Sequence, residues 1–306
     1  MRIEEVVPDA LAGERVDRIV AMLSGLSRSD VAELIDAGGV RVGGEPVVAR
    51  SGRLAAGDVL EIELPDPDEA ARLVPEPGVV LPIVHIDDHL MVIDKPAGLV
   101  VHPGAGQRTG TLVHGLLAHH PEVLGIGDDP ARPGIVHRLD KGTSGLLLVA
   151  RTQDAYTALV AALAAREVHR QYRALVWAHV DAPRGLIDAP IGRSTREPTR
   201  MAVAERGKAA RTRYEVLRRF DEPVAVTELV CTLETGRTHQ IRVHLSTIGH
   251  PVVGDVRYDG ARQSLPMERP FLHAERLELA HPVTGERMEL ASPLPADLVE
   301  VLSRLS

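Results

Sequence analysis

A short charged segment offers the clearest candidate for chemistry. Residues 134–150 read GIVHRLDKGTSGLLLVA, in which one carboxylate, Asp140, stands between the cations Arg138 and Lys141. Neighbouring positive charges favour the ionised form of a carboxyl group, which can then act as a nucleophile or stabilise positive charge on a substrate. The alternative interpretation is a structural ion pair on a solvated turn between two strands.

The chemistry that fits an isolated, activated carboxylate is attack on an electrophilic sugar carbon. Departure of a base from such a carbon leaves oxocarbenium character, which a carboxylate can stabilise. A glycosidase would need a second carboxylate as acid or base, and no second motif in the chain supplies one in a comparable context. The segment therefore indicates that a glycosidic bond is broken without hydrolysis.

Several other chemistries lack the motifs that they need. No GxGxxG follows a strand, and the run KGTS at 141–144 lacks the upstream glycine spacing of a phosphate loop. Ser144 has no GxSxG context, and His114, His119 and His120 do not have the spacing of a zinc helix. Cys231 is the only cysteine, which excludes a disulfide framework and a multi-cysteine metal site. We therefore expect no metal site.

The net charge of −8 argues against a generic nucleic-acid binder. Within residues 193–219, however, nine Arg or Lys residues stand against three Glu. This segment is either a solvated charged hairpin or a surface that contacts RNA, with Arg196 and Arg200 as candidate contacts.

The chain contains no apolar stretch near the roughly 18 residues of a membrane span. Its first residues, MRIEEVVPDALAGERVD, lack the apolar core of a signal peptide. We therefore expect a cytoplasmic protein without membrane contacts, and we expect a monomer.

A shift in composition predicts two domains. Residues 65–82 are rich in proline and acidic side chains and are interpreted as a linker between residues 1–64 and residues 83–306. The pattern of residues 1–64 predicts a small α/β domain. Its helices are expected over 15–23 and 28–37, the second capped by Ser27, with short strands around Gly43-Gly44 and a last strand within 57–64.

The larger part alternates between strand and helix patterns. Because only some strands are separated by helices, we expect an α+β fold with a mixed, largely antiparallel sheet and helices packed on it. The predicted strands cover 83–86, 90–93, 145–150, 170–179 and 224–233, and the predicted helices cover 112–119, 153–167 and 238–246.

The first domain resembles the alpha-L RNA-binding domain, which is named after a ribosomal small-subunit protein. The resemblance lies in residues 15–17, 26–29, 34–40 and 42–44. In that family the second helix and the loop after it contact RNA, so the resemblance implies that Arg28, Ser29 and Arg41 contact RNA here.

The larger domain resembles the RluA-type pseudouridine synthases. Four motifs match in the expected order over about 170 residues, and a fifth closes the pattern; with the first domain, the resemblance covers nearly the whole chain. The matching segments are 94–103, 137–150, 171–176, 233–244 and 254–258. The family fold is implied, and since the reaction is an isomerisation, neither a metal nor an organic cofactor is implied.

The resemblance also implies roles for single residues. Asp140 matches the catalytic aspartate, and Arg242 matches the arginine that pairs with it; the sequence does not distinguish an acylal, a Michaelis-type or a glycal course. Arg138 matches the arginine that fills the stack vacated by the flipped uridine. Tyr172 matches the catalytic tyrosine that packs on the flipped base and can accept the proton from its carbon five. Ile241 is a core residue that can also touch the base, and Lys141 is a candidate RNA contact.

The arrangement is like that of members that act on large-subunit ribosomal RNA, so we expect that RNA, or a ribosome precursor, as the partner. Three alternatives stay open at this point. The substrate could be transfer RNA, the protein could be a non-catalytic ribosome-assembly factor that binds RNA, or Asp140 could serve a nucleoside or glycoside hydrolase.

Overall fold

The computed structural model describes residues 2–64, 73–104, 106–197 and 199–306, with all of their side chains except that of Ser29. The chain forms two compact units, Met1–Arg72 and Leu73–Ser306. Of the predicted linker, residues 65–72 lie outside the described residues, whereas residues 73–82 belong to the second unit. No helix in the described ranges is both long enough and apolar enough to cross a membrane.

The first unit packs two helices against a four-stranded antiparallel sheet of order β1-β4-β2-β3. Both predicted helices are confirmed, because their apolar residues recur at helical spacing and are buried in one cluster. The Ser27 hydroxyl accepts a hydrogen bond from the backbone N–H of Asp30, which starts the second helix. The elements are β1 (Arg2–Val6), α1 (Val16–Ser24), α2 (Arg28–Asp36), β2 (Val40–Val42), β3 (Glu45–Pro46) and β4 (Val59–Glu63).

The second unit is built on a nine-stranded sheet of order β5-β6-β7-β14-β8-β13-β12-β9, with β15 paired to β14. Only the β7–β14 pair is parallel, so the prediction of a mixed, largely antiparallel sheet is confirmed. The strands are β5 (Ile83–Ile86), β6 (Leu90–Lys95), β7 (Ser144–Ala150), β8 (His169–Trp177), β9 (Arg184–Asp188), β12 (Arg211–Phe220), β13 (Val226–Leu233), β14 (Leu272–Ala280) and β15 (Arg287–Ala291).

Four helices and a separate hairpin complete this unit. All three predicted helices form, with ends within two residues of the expected ones. The helices are α3 (Leu112–His119), α4 (Gln153–Ala165), α5 (Gln240–Thr247) and α6 (Ala296–Ser303), and the hairpin consists of β10 (Ile191–Arg193) and β11 (Met201–Val203). The sequence patterns did not predict α6, β9, β12, β14 or β15, and residues 193–219 were interpreted only as a charged hairpin or an RNA-contacting surface.

The middle of the sheet holds the segment around Asp140 in place. Strand β7 is buried along its whole length, and its second residue, Gly145, has a φ of 109°. A Cβ atom there would lie 2.3 Å from the carbonyl oxygen of Ala274 in β14. Glycine at this position therefore lets β14 approach β7, and the loop before β7 is fixed at the centre of the sheet.

Candidate active site

Asp140 lies in the loop that leads into β7. Its carbonyl oxygen accepts a hydrogen bond from the backbone N–H of Thr143 at 3.1 Å, which forms a tight turn. The carbonyl of Lys141 accepts a hydrogen bond from the N–H of Gly98 at 2.7 Å, so the turn after β6 supports the loop. Gly98 has a φ of 89°, a conformation that glycine adopts without strain.

Arg242 is the cation that contacts Asp140. Its Nη1 donates to Oδ2 of Asp140 at 3.0 Å, while its Nε and Nη2 donate to the two carboxylate oxygens of Asp255 at 2.6 and 2.8 Å. Burial opposes the charge on Arg242, but the hydrogen bonds and charges of Asp255 and Asp140 outweigh it and raise the pKa of the guanidinium. The guanidinium therefore stays charged and fixed in direction.

Asp255 is a functional candidate that the sequence analysis missed. Its side chain is fully buried, and besides Arg242 it accepts a hydrogen bond from the N–H of Arg257 at 3.1 Å. The residue lies in the matched segment 254–258, to which no role was assigned. A signal existed, because a carboxylate two residues after the apolar Val252 and Val253 needs a charged or polar partner when it is buried.

Helix α5 is fixed in position by its own polar side chains. The Gln240 amide accepts hydrogen bonds from the Thr235 hydroxyl and the Arg237 N–H, and it donates to the Arg211 carbonyl and the Thr212 hydroxyl. One turn later, both ring nitrogens of the buried His244 have hydrogen-bond partners. The direction in which Arg242 projects from this helix is therefore determined by strand β12 and the 235–237 turn.

Tyr172 and Ile241 share a cavity with Asp140. Tyr172 lies on β8, in register with Ala274 of β14 and Cys231 of β13, and only 4% of it is exposed. Burial raises the pKa of its phenol, Arg170 lowers it and Asp140 raises it further. The cavity therefore combines an ionisable carboxylate, a neutral aromatic ring and an aliphatic side chain.

Arg138 and Lys141 do not pair with Asp140, which corrects the interpretation that these neighbours hold the carboxylate ionised. Arg138 lies 3.1 Å from Nε2 of His102, and Lys141 donates to Oε1 of Gln107 at 3.2 Å. Successive residues on a turn project in different directions, so adjacency in sequence did not bring these charges together. Both cations line a cleft of about 680 Å3 that also contains Asp140.

His239 approaches the other oxygen of the carboxylate. Its Nε2 is 4.0 Å from Oδ1 of Asp140, and its Nδ1 is 2.8 Å from the hydroxyl of Tyr258. That hydroxyl accepts a hydrogen bond from the N–H of Met201, so it is able to donate to Nδ1. Burial lowers the pKa of His239, and Asp140 raises it. The tautomer that satisfies these groups places the ring proton on Nε2, facing Asp140.

The basic segment 193–219 forms the loop of the β10–β11 hairpin and strand β12. Arg196 is exposed at this loop. Arg200 is engaged within the protein, because it pairs with Asp259 at 3.1 Å and lies 4.9 Å above the ring of Tyr258.

The candidate RNA contacts of the first unit lie on α2 and β2. Arg28 and Arg41 are exposed, and neither has an ion-pair partner among the described residues. By contrast, Arg2, Arg15, Arg18 and Arg50 all pair with carboxylates of the same unit. Ser29 belongs to α2, but its side chain lies outside the described part of the structure.

In the parts of the chain that the structure describes, no three His, Cys, Asp or Glu side chains are placed to hold a metal ion.

Lys95 stabilises the 96–99 turn after β6 from within the core. Its side chain is fully buried, and its ammonium donates to the carbonyls of Pro96 and Leu99 at 2.8 and 2.9 Å. Burial lowers the pKa of Lys95 to about 7, although the charge of Asp140 opposes this shift.

Two segments of the chain match known protein families. Residues 89–247 match the family described as RNA pseudouridylate synthase, and residues 14–60 match the S4 domain. Ribosomal large subunit pseudouridine synthase D of Pseudomonas aeruginosa is 46% identical over 292 residues, which cover 91% of this chain and 88% of that protein. The protein of the same name from Xanthomonas campestris is 44% identical over 296 residues, which cover 92% of this chain and 86% of that one.

Solved structures show the same likeness. Human RNA Pseudouridylate Synthase Domain Containing 1 has 30% sequence identity and a TM-score of 0.59, with 76% of this chain and 91% of that chain covered. Human RNA Pseudouridylate Synthase Domain Containing 4 has 28% identity and a TM-score of 0.55.

Replacing Lys95 by methionine should change how stability depends on pH. An unfolded lysine keeps its proton up to about pH 10.4, whereas folded Lys95 loses it near pH 7. Between these values the unfolded chain binds more protons, so the stability of the wild type should rise with pH by up to about 1.4 kcal/mol per unit relative to Lys95→Met. Urea unfolding of both proteins at about pH 7, 8 and 9 measures this difference.

Lys208→Met is the matched control, because Lys208 is exposed and its replacement should leave the slope of the wild type unchanged. Parallel pH profiles for the wild type and Lys95→Met would contradict the prediction.

Proposed function

Because the chain belongs to the RNA pseudouridylate synthase family, we propose that it converts specific uridines of large-subunit ribosomal RNA into pseudouridine, with Asp140 as the catalytic group. The enzyme is an RNA pseudouridine synthase, an isomerase. The relatives named for the large ribosomal subunit align over more than 90% of the chain, and the S4 match adds an RNA-binding type of domain. These findings favour ribosomal RNA over transfer RNA.

The proposed mechanism is inferred from the ion pair between Asp140 and Arg242. In the isomerisation the bond from C1′ to N1 of uracil breaks, and a bond from C1′ to C5 forms after the base has turned. The proton on C5 is then lost, and N1 gains one. An oriented carboxylate stabilises or captures the electrophilic centre while the base is detached. Arg242 holds only Oδ2, whereas Oδ1 faces the cavity next to His239. One oxygen of Asp140 is thus aimed by the protein, and the other is available to the substrate.

Tyr172 and Ile241 form the walls for the base. A uracil ring in the cavity beside Asp140 packs between an aromatic and an aliphatic surface, which hold the detached base by contact rather than through its glycosidic bond. The base has to leave its helical stack to reach this cavity. Arg138, which is exposed at the mouth and hydrogen-bonded to His102, is the planar cation that can fill the vacated stack.

Backbone contacts of the RNA are assigned to five cations and one serine. Lys141 lies in the cleft beside Asp140, and Arg196 with Arg200 marks the basic hairpin. Arg28, Ser29 and Arg41 are the proposed contacts of the first unit. Since the proposed substrate is a ribosomal RNA, we also infer that the protein acts in the cytoplasm, and we infer a monomer because the site residues all come from one chain.

Replacing Asp140 by asparagine should abolish pseudouridine formation while RNA binding persists. The amide keeps the size of the side chain but not its charge, so the rate should fall on the order of 10³-fold or more. Large-subunit ribosomal RNA lacking pseudouridine is incubated with each protein, and the product is mapped. Glu278→Gln is the control, because Glu278 belongs to a surface ion pair with Arg287.

The same assay separates the alternatives. Modification of transfer RNA alone would overturn the substrate, binding without product from the wild type would favour an assembly factor, and release of free uracil would favour a hydrolase.

Replacing Asp255 by asparagine should lower kcat about 10²-fold with a smaller change in KM, because Arg242 loses the charge that orients it towards Asp140. Steady-state kinetics on the modified RNA measures both constants. Glu228→Gln is a matched control, since Arg173 bridges Glu228 and Glu275 as Arg242 bridges Asp255 and Asp140. That control should lose stability but not kcat; an equal loss of kcat in both variants would show that Asp255 acts through folding alone.

Charge reversal at the unpaired arginines should weaken RNA binding. Arg28→Glu, Arg41→Glu and Arg196→Glu should each raise the dissociation constant and lower the dependence of binding on salt by about one released ion. Filter binding at several salt concentrations measures both quantities. Arg18→Glu is the control, because Arg18 already pairs with Glu14. Unchanged affinity in all three variants would remove these residues from the RNA-binding surface.

A further inference from the structure

A second cavity of about 510 Å3 opens on another side of Asp140. It lies between the C-terminal end of α4, the start of β8 and the 233–238 turn. Asp140 and Tyr172 form part of its wall, so it adjoins the proposed base pocket. Four arginines also line it: Arg138, Arg166, Arg170 and Arg237.

Arg170 is the unusual member of this group. Only 8% of it is exposed, and within the described residues it has no ion-pair partner and its Nε has no hydrogen-bond partner. It lies two residues before Tyr172 on β8, and alternate residues of a strand face the same side. A Cβ on Gly236 would lie 3.0 Å from its Nη1, which places the guanidinium against the 233–238 turn.

A buried cation without a counter-ion is unfavourable unless a ligand supplies one. The two carboxylates that line the cavity are already engaged. Asp140 pairs with Arg242, and Glu234 pairs with Arg166, Arg211 and Arg213 at 3.4, 3.0 and 2.6 Å. The cavity is therefore lined by more arginines than carboxylates, and no carboxylate among the described residues of its wall is left to neutralise Arg170.

Two further donors are directed into the same space. Arg237 uses only its Nε, which donates to the carbonyl of Ala209 at 3.1 Å. Nε2 of His137 accepts a hydrogen bond from the N–H of Leu148, so the ring proton is on Nδ1, a buried atom without a partner in the described residues. Burial, together with the charge of Arg170, lowers the pKa of His137 to about 3, so the ring is neutral.

We propose that this cavity is a phosphate subsite, in which Arg170, with Arg237 and Nδ1–H of His137, binds a phosphodiester of the RNA beside the target uridine. A guanidinium matches two oxygens of a phosphate and supplies the charge that the anion requires. A uracil carbonyl is neutral and would leave Arg170 uncompensated. The subsite rests on the proposed function, since its ligand is part of the RNA substrate, and it would fix the sugar of that nucleotide against Asp140.

A double-mutant cycle between protein and RNA tests the subsite. A fragment of large-subunit ribosomal RNA that contains the mapped target is prepared with one neutral methylphosphonate linkage at a time around that uridine. With the wild type, one linkage should raise the dissociation constant about 10-fold. With Arg170→Gln, the normal RNA should bind about 10-fold more weakly, and the same neutral linkage should add less than about 2-fold, because the partner of the phosphate is already lost.

Matched measurements separate the subsite from a structural role. Arg287→Gln removes an exposed arginine and should leave the linkage effect of the wild type intact. The urea midpoint of Arg170→Gln should not fall, since the replacement removes an unpaired buried charge. Arg170→Lys, which retains the charge, should restore part of the sensitivity to the linkage and also serves if Arg170→Gln does not fold.

The outcomes that overturn the subsite differ from those that overturn the function. If the wild type modifies the RNA but no single neutral linkage weakens binding, the phosphate subsite is wrong and the function stands. If Arg170→Gln weakens binding equally with normal and neutral linkages, Arg170 contacts the base or acts structurally. A wild type that neither binds nor modifies the RNA would overturn both.

Discussion

The guanidinium of Arg242 is the group on which the proposed site depends, because it joins three segments that are distant in the sequence. It connects the loop of Asp140, helix α5 and the turn of Asp255 through hydrogen bonds of 2.6 to 3.0 Å. Without this cation, two carboxylates would face the same region and repel each other. The placement of Asp140 beside Asp255 therefore depends on the guanidinium between them.

The sheet contains a second arginine of the same type, and the difference between the two is informative. Arg173 bridges Glu228 and Glu275, which lie on the strands either side of β8, and it donates to three of their four carboxylate oxygens. Arg242 bridges two carboxylates as well, but one of them, Asp140, lines open cavities. The same type of interaction is thus confined to the sheet at Arg173, whereas at Arg242 it includes a carboxylate that lines a cavity.

The sequence predicted the elements whose patterns are local. Strand β7 is an almost continuous apolar run and β8 alternates between polar and apolar residues, and both strands appear where they were expected. Strand β14 was missed because Glu275 and Arg276 interrupt its pattern at a bulge, and Arg173 neutralises Glu275 from the neighbouring strand. Charged residues inside a central strand become acceptable only through a partner that the sequence does not place.

The prediction of the site from sequence was limited in the same way. Asp140 could be singled out from its surroundings, but its partner is 102 residues away and was named only through family resemblance. The adjacent Arg138 and Lys141 were the wrong charge partners, because neighbours in a turn diverge. Asp255 and Arg170 were missed, since their importance follows from burial and from the presence or absence of a counter-ion, which only the tertiary structure determines.

The charge of the first unit has a kinetic consequence. Residues 1–64 contain seven arginines against twelve acidic residues, and most of those arginines are neutralised by their own neighbours. At distances beyond a few ångströms such a surface repels a polyanion, so chance encounters with bulk RNA end quickly. We therefore expect the first unit to meet RNA in brief collisions rather than by sliding, and to stay bound only where the shape of the RNA brings phosphates to its few uncompensated cations.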